Sequence, residues 1–316
     1  MLMADGRVRA ARPRLAELGV NRLGCFLVAL NAAVLVTDVA LFAAFGLSVK
    51  WSTLAFGGIP LAALFMVWLN FYLAPGRRSE STVAEFVFLI GLMVLFTNVG
   101  SIMQYGAVAA GFPYADWWLA AADASLGVHV ASLAAWTAAH PLANLAFRIS
   151  YASLIAQFFF TILVLAAHRD RARVWEFAFH FHMCLVIALA ALVVFPAICP
   201  PPYYHFQPTI DMTRVIRQIR ELHEGTMKVV RFDELEGLVS FPSFHAAGGL
   251  MVTWAFRDRR RFFVPLALLN LALFASTFMT GVHYVVDVIA SVPLFAFSAF
   301  AYGRWGSRWL PPEAAP

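Results

Sequence analysis

Four side chains toward the C-terminal end of the chain have types and spacing suited to nucleophilic and acid–base chemistry. His283 and Asp287 stand four apart in "GVHYVVDVIAS", residues 281–291. On a helix that spacing stacks them on one face. The carboxylate can then hold one imidazole nitrogen and leave the other as a nucleophile or base. Ser243 and His245 stand two apart in "LVSFPSFHAAGG", residues 238–249. His245 comes from a different helix and is placed to protonate a leaving oxygen. Pro242 suits the first turn of a helix, and the free amides and dipole at such a start favour an anion such as phosphate. Each feature alone has a plainer reading. A His–Asp pair can be a structural hydrogen bond, and Ser243 can be only an N-cap. Together, two histidines, a carboxylate and an anion-binding helix end suggest phosphoryl transfer through a phosphohistidine.

The elements that must position these groups are membrane helices. The chain has 316 residues, of which 61% are hydrophobic and 13% charged, and its mean hydropathy is +0.74. Soluble domains are nearer half apolar and a quarter charged. A spanning helix needs about 20 mostly apolar residues. Eight candidate spans follow: 24–45, 51–74, 83–107, 142–167, 174–196, 242–256, 262–281 and 283–303. The sixth is short and could begin inside a cavity. The expected fold is therefore an all-α, polytopic transmembrane bundle. The segment 114–141, with Trp117, Trp118 and Trp136 beside Asp116, Asp123 and His129, reads as an interfacial or re-entrant helix.

Arginines order the topology. Taken alternately from a cytoplasmic N-terminus, the inner segments hold Arg7, Arg9, Arg12, Arg14 and Arg22, then Arg77 and Arg78. Arg169, Arg171 and Arg173 follow, then Arg257 and Arg259–Arg261, and finally Arg304 and Arg308. This positive-inside pattern puts both termini in the cytoplasm. It also brings Ser243, His245, His283 and Asp287 to one extracytoplasmic face. The net charge of +5 is modest and gives no reason to expect nucleic-acid binding. Cys25, Cys184 and Cys199 have neither disulfide nor metal spacing. His180 and His182 read as packing residues. An Ala- and Arg-rich membrane chain suggests a bacterial inner membrane.

The segments "FPSFHAA" and "GVHYVVDV" resemble the second and third motifs of the type 2 phosphatidic acid phosphatase (PAP2) superfamily. Phe244 between Ser and His, and the His283–Tyr284–Asp287 core, look like the branch of inositol phosphorylceramide and sphingomyelin synthases. "FPAICPPPYYHF", 195–206, and "YADWWLAAADASLG", 114–127, look like that branch too. The resemblance covers roughly residues 110–300. It implies three domains: 1–110 as a basic segment with three accessory helices, 111–303 as the catalytic part, and 304–316 as a cytoplasmic tail. It further implies His283 as nucleophile, Asp287 as its orienting partner, His245 as acid and Ser243 as a phosphate ligand, with no metal or other cofactor. The superfamily's first motif, KxxxxxxRP, is absent before Ser243, and Thr277 stands where an Arg is usual. Arg148, Arg220 or Lys228 are candidates to replace the missing cations.

The resulting expectation is a lipid phosphotransferase that moves a phosphoryl or phospho-head-group unit from a lipid phosphoester donor to a lipid alcohol. The alternatives are a phosphatase acting on lipid phosphate or polyprenyl diphosphate, with water as acceptor, and a proton-coupled transporter. Against the transporter, the ionisable residues Asp38 and Glu85 fall near span ends rather than at the midplane.

Overall fold

The computed structural model describes residues 21–73 and 81–310. Arg7, Arg9, Arg12, Arg14, Arg77 and Arg78, part of the topological argument, lie outside these residues.

Helix α1 (Arg22–Phe45) starts where the Asn21 side chain accepts the Gly24 amide at 2.9 Å, and it stops at Gly46, φ 63°. Both are residue types suited to those ends. A two-residue strand, β1 (Ser48–Val49), leads into α2 (Ala55–Leu73) and α3 (Ser81–Ala109). The segment read as re-entrant forms two ten-residue helices, α4 (Asp116–Ser125) and α5 (Val130–Ala139), bent by 79° at their junction. Next come α6 (Pro141–Ala167), which opens on proline, and α7 (Arg171–Val194), capped by Asp170. The following loop holds a short α8 (Pro200–Tyr204), α9 (Thr213–His223) and β2 (Val229–Val230). The chain closes with α10 (Phe244–Ala255), α11 (Arg260–Met279) and α12 (Val285–Arg304).

Among the described residues seven helices, α1, α2, α3, α6, α7, α11 and α12, are long and apolar enough to cross a membrane, and the bent pair makes an eighth if it counts as one span. The fold is thus an all-α polytopic bundle. Helix α10, expected as a short span over 242–256, has 12 residues and is about 18 Å long at 1.5 Å per residue. It nevertheless joins the two ends of the bundle, because it is sunk among α6, α7, α11 and α12 rather than facing lipid. Gly248 and Gly249 make that possible. A Cβ on either would come within 2.9 Å of Leu154 on α6 or Phe274 on α11. Helix α7 is the axis of the core, with Trp175, Phe177, Phe181, Leu185 and Leu189 packed against α3, α10 and α12. Helix α2 lies at the rim and presents Phe56, Ile59, Phe65 and Met66 outward, as a lipid-facing helix does.

The two ends differ in chemistry. At one end, which we call the arginine end, Glu85 is fully buried and held by Arg171 and by Trp175 Nε1 at 2.6 Å. Arg173 and Arg257 both bond Glu176, Arg173 also meets Asp258, and Arg259 meets Asp170. Ion pairs therefore tie α3, α7 and the α10–α11 turn together. At the other end the loop between α7 and α10 is tied by hydrogen bonds. Strands β1 and β2 pair in parallel, Ser48 with Val229 and Val49 with Val230. Tyr105 donates to Gln218 at 2.8 Å and accepts the Glu236 amide at 3.0 Å. Gln104 accepts the Leu238 amide. A strap, residues 229–240, thus lies across the end of α3 and delivers the chain to α10.

Candidate active site

The strap, the start of α10 and the turn before α12 enclose a cavity of about 130 Å³. His245 and His283 both line it, with Ser240, Tyr151, Gln104 and Cys199.

His283 is held by its own helix and backbone. Its amide and that of Val282 both donate to the Thr277 carbonyl, at 3.1 and 3.2 Å, which wraps the turn back over the end of α11. Gly281 makes this turn possible. Its φ of +85° lies where an L side chain is strained, and a Cβ would sit 2.6 Å from Phe206 Cε2. The His283 ring then donates through Nδ1 to Asp287 Oδ2 at 3.2 Å. With Nδ1 so engaged, Nε2 keeps its lone pair, and it has no hydrogen-bond partner among the described residues. Asp287 is fully buried. Its Oδ2 also accepts from Ser240 Oγ and the Tyr284 amide, each at 3.0 Å. This carboxylate therefore does two jobs: it orients the imidazole and closes the first turn of α12.

His245 stands one residue inside α10. Its ring centroid is 6.3 Å from that of His283, and it stacks on Tyr151 of α6 at 4.2 Å and 15°. It makes no hydrogen bond among the described residues, so its ring nitrogens are open to a substrate. Pairing an oriented imidazole with an unbonded one across a small cavity is an arrangement for attack at one centre and proton transfer at its leaving group.

The structure brings three of the predicted residues, His245, His283 and Asp287, together. Ser243 joins them through its backbone, its amide donating to the Asp287 carbonyl at 3.0 Å. Its hydroxyl is fully buried, caps α10 by accepting the Ala246 amide at 3.3 Å, and is not among the groups lining the cavity. Ser240, three residues earlier, lines it instead. No arginine or lysine lines the cavity among the described residues. Arg148 is exposed on α6, one turn before Tyr151. Lys228 donates to the Phe45 carbonyl at 3.0 Å, beside the β1–β2 pairing. Arg220 lines a separate cleft of about 740 Å³ with Arg217, Glu221, Gln207 and Asp211. That cleft and the histidine-lined cavity meet at Met212, on opposite faces of α9: Val215 and Ile219 face the cavity, Ile216 and Arg220 the cleft. Thr277, which stands where an Arg is usual in the resembled motif, is buried and bonds within its own helix.

Several contributors were not read from sequence. Asp116 accepts the Tyr284 hydroxyl at 2.9 Å and the Ile198 amide at 2.8 Å. Asp123 accepts the Val285 and Val286 amides at 2.9 and 2.8 Å, capping the helix that carries Asp287. The bent pair α4–α5 thus supports the turn that carries His283, and the only sequence sign was two acids in an apolar stretch. Cys199 takes φ 84°, a region rarely open to non-glycine residues, at the cavity wall. Burial pushes its thiol pKa up, and the Asp116 and Asp287 carboxylates push the same way, so the group stays a neutral thiol. His180 and His182 are buried packing residues: His180 meets Ser298, and His182 meets Asn31.

No protein of established function and no solved structure gives a significant match to the chain. The family model described as PAP2 superfamily matches residues 117–301, more than half of the 316, and takes in α10, the α11–α12 turn and both halves of the site. Members of this superfamily are phosphatases or phosphotransferases, and on that match this chain belongs to the PAP2 superfamily.

Proposed function

We propose that the chain is a lipid phosphotransferase that moves a phospho-head-group between lipids through a covalent His283 intermediate, like an inositol phosphorylceramide synthase. The observation that carries the reading is the oriented His283–Asp287 pair facing an unbonded His245 across one cavity. His283 Nε2 attacks phosphorus of the donor phosphodiester. The bond from phosphorus to the lipid alcohol breaks, and protonated His245 gives its proton to the departing oxygen. His245, now neutral, takes the proton of an acceptor hydroxyl. That oxygen attacks the phosphohistidine, releases His283 and leaves His245 protonated for the next cycle. Asp287 stabilises the positive imidazole that forms each time.

The absence of lining cations supports a diester over a monoester, because a diester carries one charge fewer into a cavity offering only hydroxyl, amide and imidazole groups. The adjoining cleft, with Arg217 and Arg220 alternating with Glu221, Asp211 and Gln207, suits a polar head group rich in hydroxyls. On the arginine distribution the site faces away from the cytoplasm. A second reading, hydrolysis, differs only in the acceptor, and the same cleft would admit water to the phosphohistidine.

The test uses the full chain in lipid nanodiscs with a phosphoinositol-type diester labelled in its phosphate. The expected result is label trapped on protein in an acid-labile, base-stable form. It should be lost in His283→Ala and Asp287→Asn, and it should discharge onto a long-chain alcohol but not onto water. Vanadate should inhibit. Release of inorganic phosphate from a lipid monoester without an acceptor lipid would favour hydrolysis. Full activity in His283→Ala would overturn both readings.

A further inference from the structure

A second cavity, of about 700 Å³, lies between α1, α2 and α3 at the same end of the bundle as the site. Its lining is apolar except for Ser48, Asn98 and Asp38. Ser48 Oγ donates to the Lys228 carbonyl at 3.2 Å, and Asn98 Nδ2 donates to Val94 at 2.7 Å. Asp38 is different. It is 4% exposed, and neither carboxyl oxygen has a hydrogen-bond partner among the described residues. A buried polar group without a partner is costly and rare in native structures, and an unpaired ionisable group inside a membrane helix marks a functional site.

The walls say what kind of partner Asp38 lacks. Leu35, Val39 and Trp51 reach from the cavity to the outer, lipid-facing surface of the bundle. An occupant entering from that side must be largely hydrocarbon and must end in a group that donates a hydrogen bond to a carboxyl oxygen. An anionic head group would meet Asp38 with like charge. A hydroxyl donates in either protonation state of Asp38 and carries no charge into the apolar walls. We infer that this cavity is a binding site for a neutral, hydroxyl-bearing long-chain lipid, with Asp38 as its polar anchor.

The site is separate from the catalytic cavity yet connected to it. Phe232 of the strap lines the accessory cavity, while Gly237 to Ser240 of the same strap line the catalytic one. Helix α3 lies between them, with Val99 and Ile102 on one face and Gln104 on the other. An occupant under Phe232 therefore bears on the segment that presents Ser240 to Asp287.

The inference stands independently of the catalytic reading, and its test reads binding rather than turnover. The full chain in phosphatidylcholine nanodiscs is photolabelled with a diazirine-bearing hexadecanol, and labelled peptides are mapped by mass spectrometry. The expected result is saturable labelling of α1 and α2. Excess hexadecanol should displace it and hexadecane should not. Asp38→Leu should lower labelling at least tenfold. A second variant, Gly58→Phe, should do the same by filling the cavity, because a Cβ at Gly58 meets no atom within 4 Å. If Asp38→Leu does not elute as a single species, Gly58→Phe decides. Labelling that does not saturate, that hexadecane displaces equally, or that persists in the folded variant overturns the inference.

Discussion

The ring of Tyr151 lies flat against that of His245, centroids 4.2 Å apart and planes 15° from parallel. His245 has no hydrogen bond among the described residues to fix its orientation, so this stack is what holds the proposed acid in place. Aromatic stacking is worth about 0.5–1.5 kcal/mol beyond burial. Tyr151→Ala should lower kcat by up to about tenfold, because the lost contact orients the proposed proton donor. Tyr151→Phe should stay within about threefold of the native chain. An equal loss in both variants would show that the phenol oxygen, not the ring, is what matters.

Ser240 donates one of three hydrogen bonds on Asp287 Oδ2. A hydrogen bond to a charged group contributes about 1.5–3 kcal/mol. Ser240→Ala should therefore slow turnover about ten- to a hundredfold without preventing insertion or folding. Ser240→Thr keeps the hydroxyl and should recover most of the rate. Ser243→Ala, by contrast, removes a helix cap of about 1 kcal/mol and should show mainly as a lowered Tm.

Asp123 accepts two amides at the start of α12. Its removal leaves both donors and the helix dipole unmatched in a buried setting. Asp123→Ala should lower the stability of the bundle by about 2 kcal/mol or more. In a Cys25→Ser background the remaining thiols, Cys184 and Cys199, are buried, so a thiol-reactive fluorophore can follow the unfolding. Asp123→Asn keeps one acceptor oxygen and should fall between the two. A Tm unchanged in Asp123→Ala would mean that α4 does not support the turn.

Gly281 needs both its positive φ and its missing Cβ. Gly281→Ala should be destabilising, with about 1–2 kcal/mol from the backbone alone and a further loss from the contact with Phe206. Phe206→Leu added to Gly281→Ala should restore the second part and leave the first. Full restoration by the double variant would place the whole cost in the contact.

The long apolar helices and the grouping of His245, His283 and Asp287 are legible because hydropathy runs and residue spacing are local signals. Hydropathy runs mark α1, α3, α6, α7, α11 and α12 within a few residues, and the His283–Asp287 spacing names its own pair. The polar stretch 114–141 read as re-entrant is a sharply bent helix pair. What escaped were partnerships across the fold. Tyr151 looks like any aromatic on an apolar helix until α10 is laid beside it. Asp116 and Asp123 look like surface acids until the groups that donate to them, the Tyr284 hydroxyl and the first amides of α12, are seen. Helix α9 carries a legible signal of its own, with Val215, Ile216, Ile219 and Leu222 at helical spacing among charges. Arg148, Arg220 and Lys228 stand outside the cavity, which no Arg or Lys lines among the described residues, and Thr277 uses its carbonyl in the turn that positions His283.

Helix α10 is anchored at one end by the arginine cluster, through Arg257 and Arg259, and offers His245 at the other. It acts as a ruler, and its length sets the phase of His245 relative to His283. Each residue of an α-helix advances about 1.5 Å and turns about 100°. Inserting one alanine in α10 would leave every ion pair intact at the far end and swing His245 away from His283. Inserting four, about one full turn, would bring the angle back and leave the ring about 6 Å too high. The spacing between His245 and Arg257 is thus a counted distance, and the chemistry at one end of the bundle is registered by charges at the other.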